Sequence, residues 1–239
     1  SIAAMIGPLL VLHGNVKIGA AKVHPGTELE QGVVLGDRTE VHERGLIRRH
    51  TQIVAGSVVG SGSRIGAGSF IEFSKLGPNC NVGGGGRITR STVNGSLTAG
   101  NRLVFTKANV LSGVQLGESF NSGTGLVLHD GAIFGDYALL GSNVRIAKGV
   151  RVGKKFEMDD ESMIDDRAQI GQSVKIGARS RVDLGAQLAD DTILGSRVYI
   201  GPYQEIRGQI ADGSHIAFRE KPIPVWPIPV RIFDEESSK

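Results

Sequence analysis

The residues of this sequence that could carry chemistry include three cations placed close together, Lys75, Arg87 and Arg90. A phosphate or pyrophosphate group needs fixed positive charge, which lysine and arginine side chains supply. His129, with Asp130 beside it, has the side-chain type best suited to moving a proton near neutral pH. We therefore predict that Lys75, Arg87 and Arg90 bind a substrate and that His129 is the general base.

The single cysteine and the other histidines form no recognisable motif in the sequence. Cys80 is the single cysteine, so neither an internal disulfide nor a cysteine-based zinc site can form. His50, next to Arg48 and Arg49, is a further potential base beside a phosphate. Five histidines besides His129 stand next to apolar positions and are expected at the surface: His13, His24, His42, His50 and His215. No metal site is predicted.

Composition excludes several functional classes. The 27 basic and 24 acidic side chains give a net charge of only +3, and there is no basic stripe of the kind that binds nucleic acid. No apolar run approaches the ~18 residues of a membrane-spanning helix. A single cysteine fits a reducing cytoplasm. The 35 glycines, with aromatics at only 5%, indicate many tight turns.

An apolar residue recurs every six positions over most of the chain. The longer series has fourteen members in unbroken succession: Leu128, Phe134, Leu140, Ile146, Val152, Met158, Ile164, Ile170, Ile176, Val182, Leu188, Leu194, Ile200 and Ile206. A second series runs from Val23 to Ile71. A period of six matches neither an α-helix nor a simple amphipathic strand, but it does match a short strand followed by a corner. Three such units close one triangular coil of about 18 residues.

Residues eighteen apart then become neighbours on stacked strands. The acidic run from Glu157 to Asp166 resembles a metal site, yet Glu157 falls opposite Lys175 and Glu161 opposite Arg179. Pairs of opposite charge on adjacent strands stabilise a sheet. We therefore interpret the run as a solvated ladder of ion pairs.

The six-residue frame slips between residues 72 and 122. The slips begin after Ile71, and Ser122 occupies an inward position. The segment contains the glycine run Gly83–Gly86, and slips of this kind are expected to push an irregular loop insertion outward, where function is usually carried. From residue 218 onward, four prolines alternate with apolar residues, which rules out a central strand. The predicted domains are a solenoid over 1–217 and an extended Pro-rich tail over 218–239.

The aliphatic residue followed by glycine, as in Ile170-Gly171 and Ile176-Gly177, resembles the repeat of the hexapeptide family. That resemblance implies an all-β fold, the left-handed parallel β-helix. The period alone does not give the hand of the coil, and the general rule for crossovers favours the right hand. The resemblance also implies a homotrimer.

A more specific resemblance covers Ile65 to Gly100. Phe70-Ile-Glu-Phe-Ser-Lys75 followed by Leu76-Gly77 is similar to the F-V-E-V-K-K and L-G of the acetyltransferase domain in bifunctional N-acetylglucosamine-1-phosphate uridyltransferases. It implies acetyl-CoA as donor and a sugar nucleotide or sugar phosphate as acceptor. The catalytic histidine of that family aligns with Gly84, its tyrosine with Arg87 and its later asparagine with Thr98.

Two functional classes remain open on this evidence. The first is a sugar-nucleotide or sugar-phosphate transferase domain, with Lys75 as the retained contact and another residue replacing the histidine. The second is a non-catalytic oligomerisation or regulatory scaffold derived from such an enzyme. Because function lies in sites carried by a fold, the fold itself does not decide between them. No cofactor is expected to be needed for folding.

Overall fold

The chain forms short parallel strands joined by corners. The computed structural model describes residues 5–6 and 10–216, and the described part contains 37 strands and no helix. The predicted Pro-rich tail over 218–239 lies outside the described residues.

Each strand is two to four residues long. The first third comprises β1 (Met5–Ile6), β2 (Val11–Leu12), β3 (Lys17–Ile18), β4 (Lys22–Val23), β5 (Glu28–Leu29), β6 (Val34–Leu35), β7 (Glu40–Val41), β8 (Leu46–Ile47), β9 (Gln52–Val54), β10 (Val58–Val59), β11 (Arg64–Ile65) and β12 (Phe70–Glu72). The second comprises β13 (Lys75–Leu76), β14 (Asn81–Val82), β15 (Arg87–Thr89), β16 (Thr92–Val93), β17 (Thr98–Ala99), β18 (Val104–Thr106), β19 (Asn109–Val110), β20 (Gln115–Leu116), β21 (Asn121–Thr124), β22 (Val127–Leu128), β23 (Ile133–Phe134) and β24 (Leu139–Leu140). The last comprises β25 (Arg145–Ile146), β26 (Arg151–Val152), β27 (Glu157–Met158), β28 (Met163–Ile164), β29 (Gln169–Ile170), β30 (Lys175–Ile176), β31 (Arg181–Val182), β32 (Gln187–Leu188), β33 (Ile193–Leu194), β34 (Tyr199–Ile200), β35 (Glu205–Ile206), β36 (Gln209–Ile210) and β37 (His215–Ile216).

Every third strand joins the same parallel sheet, and the three sheets form the sides of a prism. Sheet A begins with β1 and has 13 strands, while sheets B and C begin with β2 and β3 and have 12 each. At about 4.8 Å between strands, the stack is roughly 60 Å long. The predicted fold class, an all-β left-handed parallel β-helix, is confirmed.

The inward residue of each strand builds one continuous core. Ile170 and Ile176, which belong to the six-residue series, are 5% and 2% exposed. Buried phenylalanines contribute to the middle part of this core. Phe105 and Phe120 pack edge to face with ring centroids 5.7 Å apart, and Phe120 and Phe134 do so at 5.2 Å. Such pairs add to the stabilisation that burial alone provides.

The frame slips are present where the sequence indicates, but no loop leaves the solenoid there. After Ile71 the chain continues as β13 to β22, and each strand is paired with its neighbours. The step from sheet C to sheet A is one residue shorter in three coils in a row, so Leu76 pairs with Val93 and Val93 with Val110. The expected irregular insertion is therefore a set of tightened corners, and the glycine run Gly83–Gly86 is an ordinary corner between sheets B and C.

A ladder of buried hydroxyls holds the tightened corners together. The Ser74 N–H donates to the Ser57 hydroxyl oxygen (3.2 Å), the Ser91 N–H to that of Ser74 (3.1 Å) and the Ala108 N–H to that of Ser91 (3.0 Å). The Ser74 and Ser91 hydroxyls also donate to carbonyls two residues earlier, at 2.7 and 2.8 Å. Serine at this position thus gives the next coil a hydrogen-bond acceptor, as Ser162 and Ser180 also do at full-length corners.

We expect Ser74→Ala to destabilise the solenoid by about 1–3 kcal/mol, because it leaves the buried Ser91 N–H without an acceptor. Ser112→Ala is the matched control, since Ser112 is exposed and its hydroxyl forms no hydrogen bond with a described residue. Urea denaturation followed by circular dichroism measures the difference. Equal midpoints for the two variants would contradict the role assigned to the ladder.

Candidate functional site

The structure separates the three predicted substrate-binding cations. Lys75 is exposed on sheet A, and Arg90 is exposed at the corner that leads from sheet C to sheet A, one coil further on. Arg87 lies on sheet C, with its guanidinium carbon 5.3 Å from the centre of the Phe70 ring. Lys75 therefore lies beside the corner that carries Arg90, whereas Arg87 lies on a different side of the prism.

His129 is half-buried at the corner that leads from sheet A to sheet B, here called the A–B corner. It follows β22, which is three strands beyond the strand of Lys75 in sheet A. At about 4.8 Å per strand, the two residues are about 14 Å apart along the sheet. His129 and the three cations thus do not form one compact cluster, and their roles stay predictions.

Two other histidines are brought together at the A–B corner. His24 follows β4 and His42 follows β7, and these strands are adjacent in sheet A. The two imidazole rings stack with centroids 4.8 Å apart and planes inclined by 10°. The coil length of eighteen residues produces this contact, because it places the same corner position of successive coils in one column.

Two glutamates hold His24 in place. Its Nε2 lies 2.8 Å from Oε1 of Glu40, and its Nδ1 lies 3.3 Å from Oε1 of Glu43. Lys22 donates to the same Glu40 oxygen at 2.9 Å. The hydrogen bonds from Lys22 and His24 lower the pKa of Glu40 to about 2, so this carboxylate stays charged throughout the neutral range. We call His24, His42, Glu40 and Glu43 the histidine cluster.

His42 is the histidine of the cluster whose ring nitrogens form no hydrogen bond with the two glutamates. Its Nε2 is 3.8 Å from Glu40 and its Nδ1 is 4.0 Å from Glu43, both beyond hydrogen-bond distance, and its side chain is 35% exposed. A groove of about 400 Å³ lined by Pro25, Gly26, Glu43, Arg44 and Ser61 adjoins it. The ring nitrogens of His42 are therefore free to accept a proton, with two carboxylates nearby to stabilise the resulting imidazolium.

The histidine cluster also has donor atoms of the types that bind transition metals. His24, His42 and Glu43 each place one such atom within 4.8 Å of the others. A metal ion lies close to the plane of each imidazole that ligates it, however, and two parallel stacked rings share no such point. As they stand, the rings favour proton transfer over metal binding.

The acidic run forms the ion-pair ladder that the sequence indicates. Lys175 lies 2.8 Å from Glu157, and Arg179 lies 2.9 Å from Glu161. Asp165 and Asp183, the like-charged neighbours, share the guanidinium of Arg181 at 2.9 and 3.6 Å. Glu157, Glu161 and Asp165 are therefore each balanced by a cation of the same chain.

Sequence reasoning missed the histidine cluster although the signal was present. His24 and His42 are eighteen residues apart, the spacing that identified the ion pairs of the acidic run. Each histidine was considered singly, so the stacked pair and its carboxylates were not expected.

No protein-family model matches the chain, and no curated protein sequence matches it. Within the described residues there is no helix long and apolar enough to cross a membrane.

Solved structures similar to the chain include three UDP-N-acetylglucosamine acyltransferases. The enzyme from Moraxella catarrhalis is 15% identical, with 84% of this chain and 70% of that one covered and a TM-score of 0.32. The enzyme from Arabidopsis is 14% identical over 84% and 70%, with a TM-score of 0.33. The enzyme from Bacteroides fragilis is 19% identical over 74% and 68%, with a TM-score of 0.32. Similarity this low does not extend to function. The six-residue repeat and the three parallel sheets give this chain the fold of a parallel β-helix of the hexapeptide-repeat type.

Proposed function

We propose that this protein is an acyltransferase that moves an acyl group from acetyl-CoA to a sugar nucleotide or sugar phosphate, with His42 as the general base. The observation that carries the proposal is the histidine cluster, in which His42 has a proton-accepting ring beside two carboxylates. The donor and the acceptor class come from the sequence resemblance around Phe70 to Gly77.

Acyl transfer needs a base at one step. The acceptor hydroxyl or amine attacks the thioester carbonyl, a new carbon–oxygen or carbon–nitrogen bond forms, and the carbon–sulfur bond breaks. The base takes the proton that the acceptor loses and returns it to the departing CoA thiolate. His24, fixed between Glu40 and Glu43, stacks against His42 and limits the rotation of its ring.

The cations predicted from the sequence have a place in this proposal. Lys75 lies on sheet A two strands beyond His42, or about 10 Å along the sheet, and Arg90 adjoins it at the next coil. A phosphate held by Lys75 and Arg90 leaves the rest of a sugar nucleotide within reach of His42. His129 lies on the other side of Lys75 and is the second candidate base, and Arg87 would contact an acceptor that extends onto sheet C.

A non-catalytic scaffold is the competing proposal, and one residue favours it. Gly84 stands where the resembling family has its catalytic histidine, and glycine cannot transfer a proton.

If millimolar acetyl-CoA and UDP-sugars produce neither heat nor a thermal shift, the transferase proposal fails and the scaffold takes its place. Ligand binding to the native state raises stability by about 2.7 kcal/mol at a hundredfold excess over Kd, so a thermal shift is a sensitive test.

We expect His42→Gln to lower kcat for acetyl transfer from acetyl-CoA to UDP-sugars by about 10²–10⁴-fold, the range that general bases contribute. His129→Gln tests the alternative base in the same assay. His13→Gln is the matched control, because His13 also contacts a glutamate one coil away, at 3.0 Å from Glu28. A His42 variant with unchanged kcat would exclude His42 as the base.

Replacing Lys75 and Arg87 with alanine is expected to weaken binding of sugar nucleotides or CoA while leaving the melting temperature unchanged. Both side chains are exposed, and exposed charges contribute little to stability. Calorimetry gives Kd, and a thermal melt gives the control value. Full affinity in both variants would remove these residues from the substrate site.

The oligomeric state is the remaining part of the proposal. The resemblance to the hexapeptide family implies a homotrimer, so light scattering at micromolar concentration should give three times the chain mass of 25.2 kDa. A mass near that of one chain would contradict it.

A further inference from the structure

The corner that leads from sheet B to sheet C, here called the B–C corner, is bare over two successive coils. Residues 66–68 and 83–85 stack there as Gly-Ala-Gly over Gly-Gly-Gly, so six positions carry one methyl group. The coil before presents Arg48 and Arg49, and the coil after presents Asn101 and Arg102. We call this bare region the notch.

Most of the glycines of the notch are required by the coil itself. A Cβ on Gly66 would lie 2.3 Å from the carbonyl carbon of Gly83, which coil stacking forbids. Gly68 and Gly85 have φ of +67° and +68°, where side chains are strained. Gly84 has neither constraint, since its Cβ would lie 3.2 Å from the Ala67 oxygen and 3.4 Å from the Asn101 Oδ1.

Because Gly84 has no side chain, it offers no acceptor to the backbone N–H of the coil before it. At several coils of this corner, a side-chain oxygen accepts the N–H of the same position one coil earlier. Asn101 accepts that of Gly84 at 2.7 Å, Glu118 that of Asn101 at 3.0 Å and Asp136 that of Glu118 at 3.0 Å. Gly84 has no side chain to offer, and among the described residues the N–H of Ala67 has no hydrogen-bond partner.

Positive charge faces the same space. A cavity of about 600 Å³ is lined by Glu30, Arg48, Arg49, Gly66, Ala67, Gly84 and Asn101. Glu30 neutralises Arg48 at 2.8 Å and also accepts the N–H of Arg49 at 3.0 Å. The guanidinium of Arg49 forms no ion pair with a described residue, so it is the cation available to a ligand.

We propose that the notch binds the phosphate or diphosphate group of a small molecule. One phosphate oxygen accepts the N–H of Ala67, in the place that a side-chain oxygen takes at the coils of Gly84 and Asn101. The planar guanidinium of Arg49 donates two further hydrogen bonds, the arrangement that favours arginine at phosphate sites. The bare floor of the notch lets the group approach the backbone closely. This site does not depend on the acyltransferase proposal.

The test uses the full chain and inorganic pyrophosphate as the probe. Gly84→Asn should supply the missing oxygen from within the chain, occupy the N–H of Ala67 and lower pyrophosphate affinity about tenfold or more, as Arg49→Ala should by removing a charge-assisted bond. Gly84→Ala, which adds only a methyl group, should keep most of the affinity. Arg197→Ala, at an exposed cation of another corner, should keep all of it.

Titration calorimetry gives the affinities, and the amide chemical shift of Ala67 reports contact at the site itself. A shift of that amide on adding pyrophosphate but not acetate, lost in Gly84→Asn, supports the notch as a phosphate site. Equal affinity in Gly84→Asn and the unchanged chain, equal binding of acetate, or an unmoved Ala67 amide would each overturn the proposal. His42→Gln should leave this binding unchanged, so failure of the acyltransferase proposal can be told apart from failure of this one.

Discussion

Each coil of this protein must hydrogen-bond to the coil before it along all three sides while keeping its inward side chains directly above those already buried. Pairs such as Val58↔Lys75 and Val59↔Leu76 fix this register strand by strand. Because the strands within each sheet are parallel and in register, a residue at a given corner position lies about 4.8 Å from the residue at the same position of the next coil. The coil length therefore determines which side chains stack in the core and which exposed side chains contact one another.

The register determines which residues that are distant in the sequence come into contact. The contacts of His24 with His42 and of Arg181 with Asp165 join residues about one coil apart, and neither of them depends on a loop. The notch arises in the same way, because two coils that carry small corner residues happen to be successive. A site on such a solenoid is a column of side chains, and removing one member exposes the backbone of the coil below, as at Ala67.

The sequence predicted those parts of the fold and of the candidate sites in which residues recur at a constant step along the chain. The inward positions of Ile170 and Ile176 and the pairing of Glu157 with Lys175 follow from steps of six and eighteen residues. Across the tightened corners the step falls to seventeen, so the sequence indicated a disturbance near Ile71 without revealing that the strands remain paired there. The partners of His24 were missed for a different reason, since Glu40 reaches it diagonally from sixteen residues away.

The two candidate sites lie on one coil. The chain leaves His42 at the A–B corner, passes through β8 and reaches Arg49 at the B–C corner, so one strand of sheet B separates the candidate base from the cation of the notch. The tightened steps that follow lie at the third corner, between sheets C and A, and therefore leave the columns at both ends of sheet B continuous. Gly84 belongs to the column of Arg49 and forms part of the bare floor of the notch. The structure thus pairs a bare corner that suits a phosphate with a carboxylate-held histidine pair across the same face of the prism.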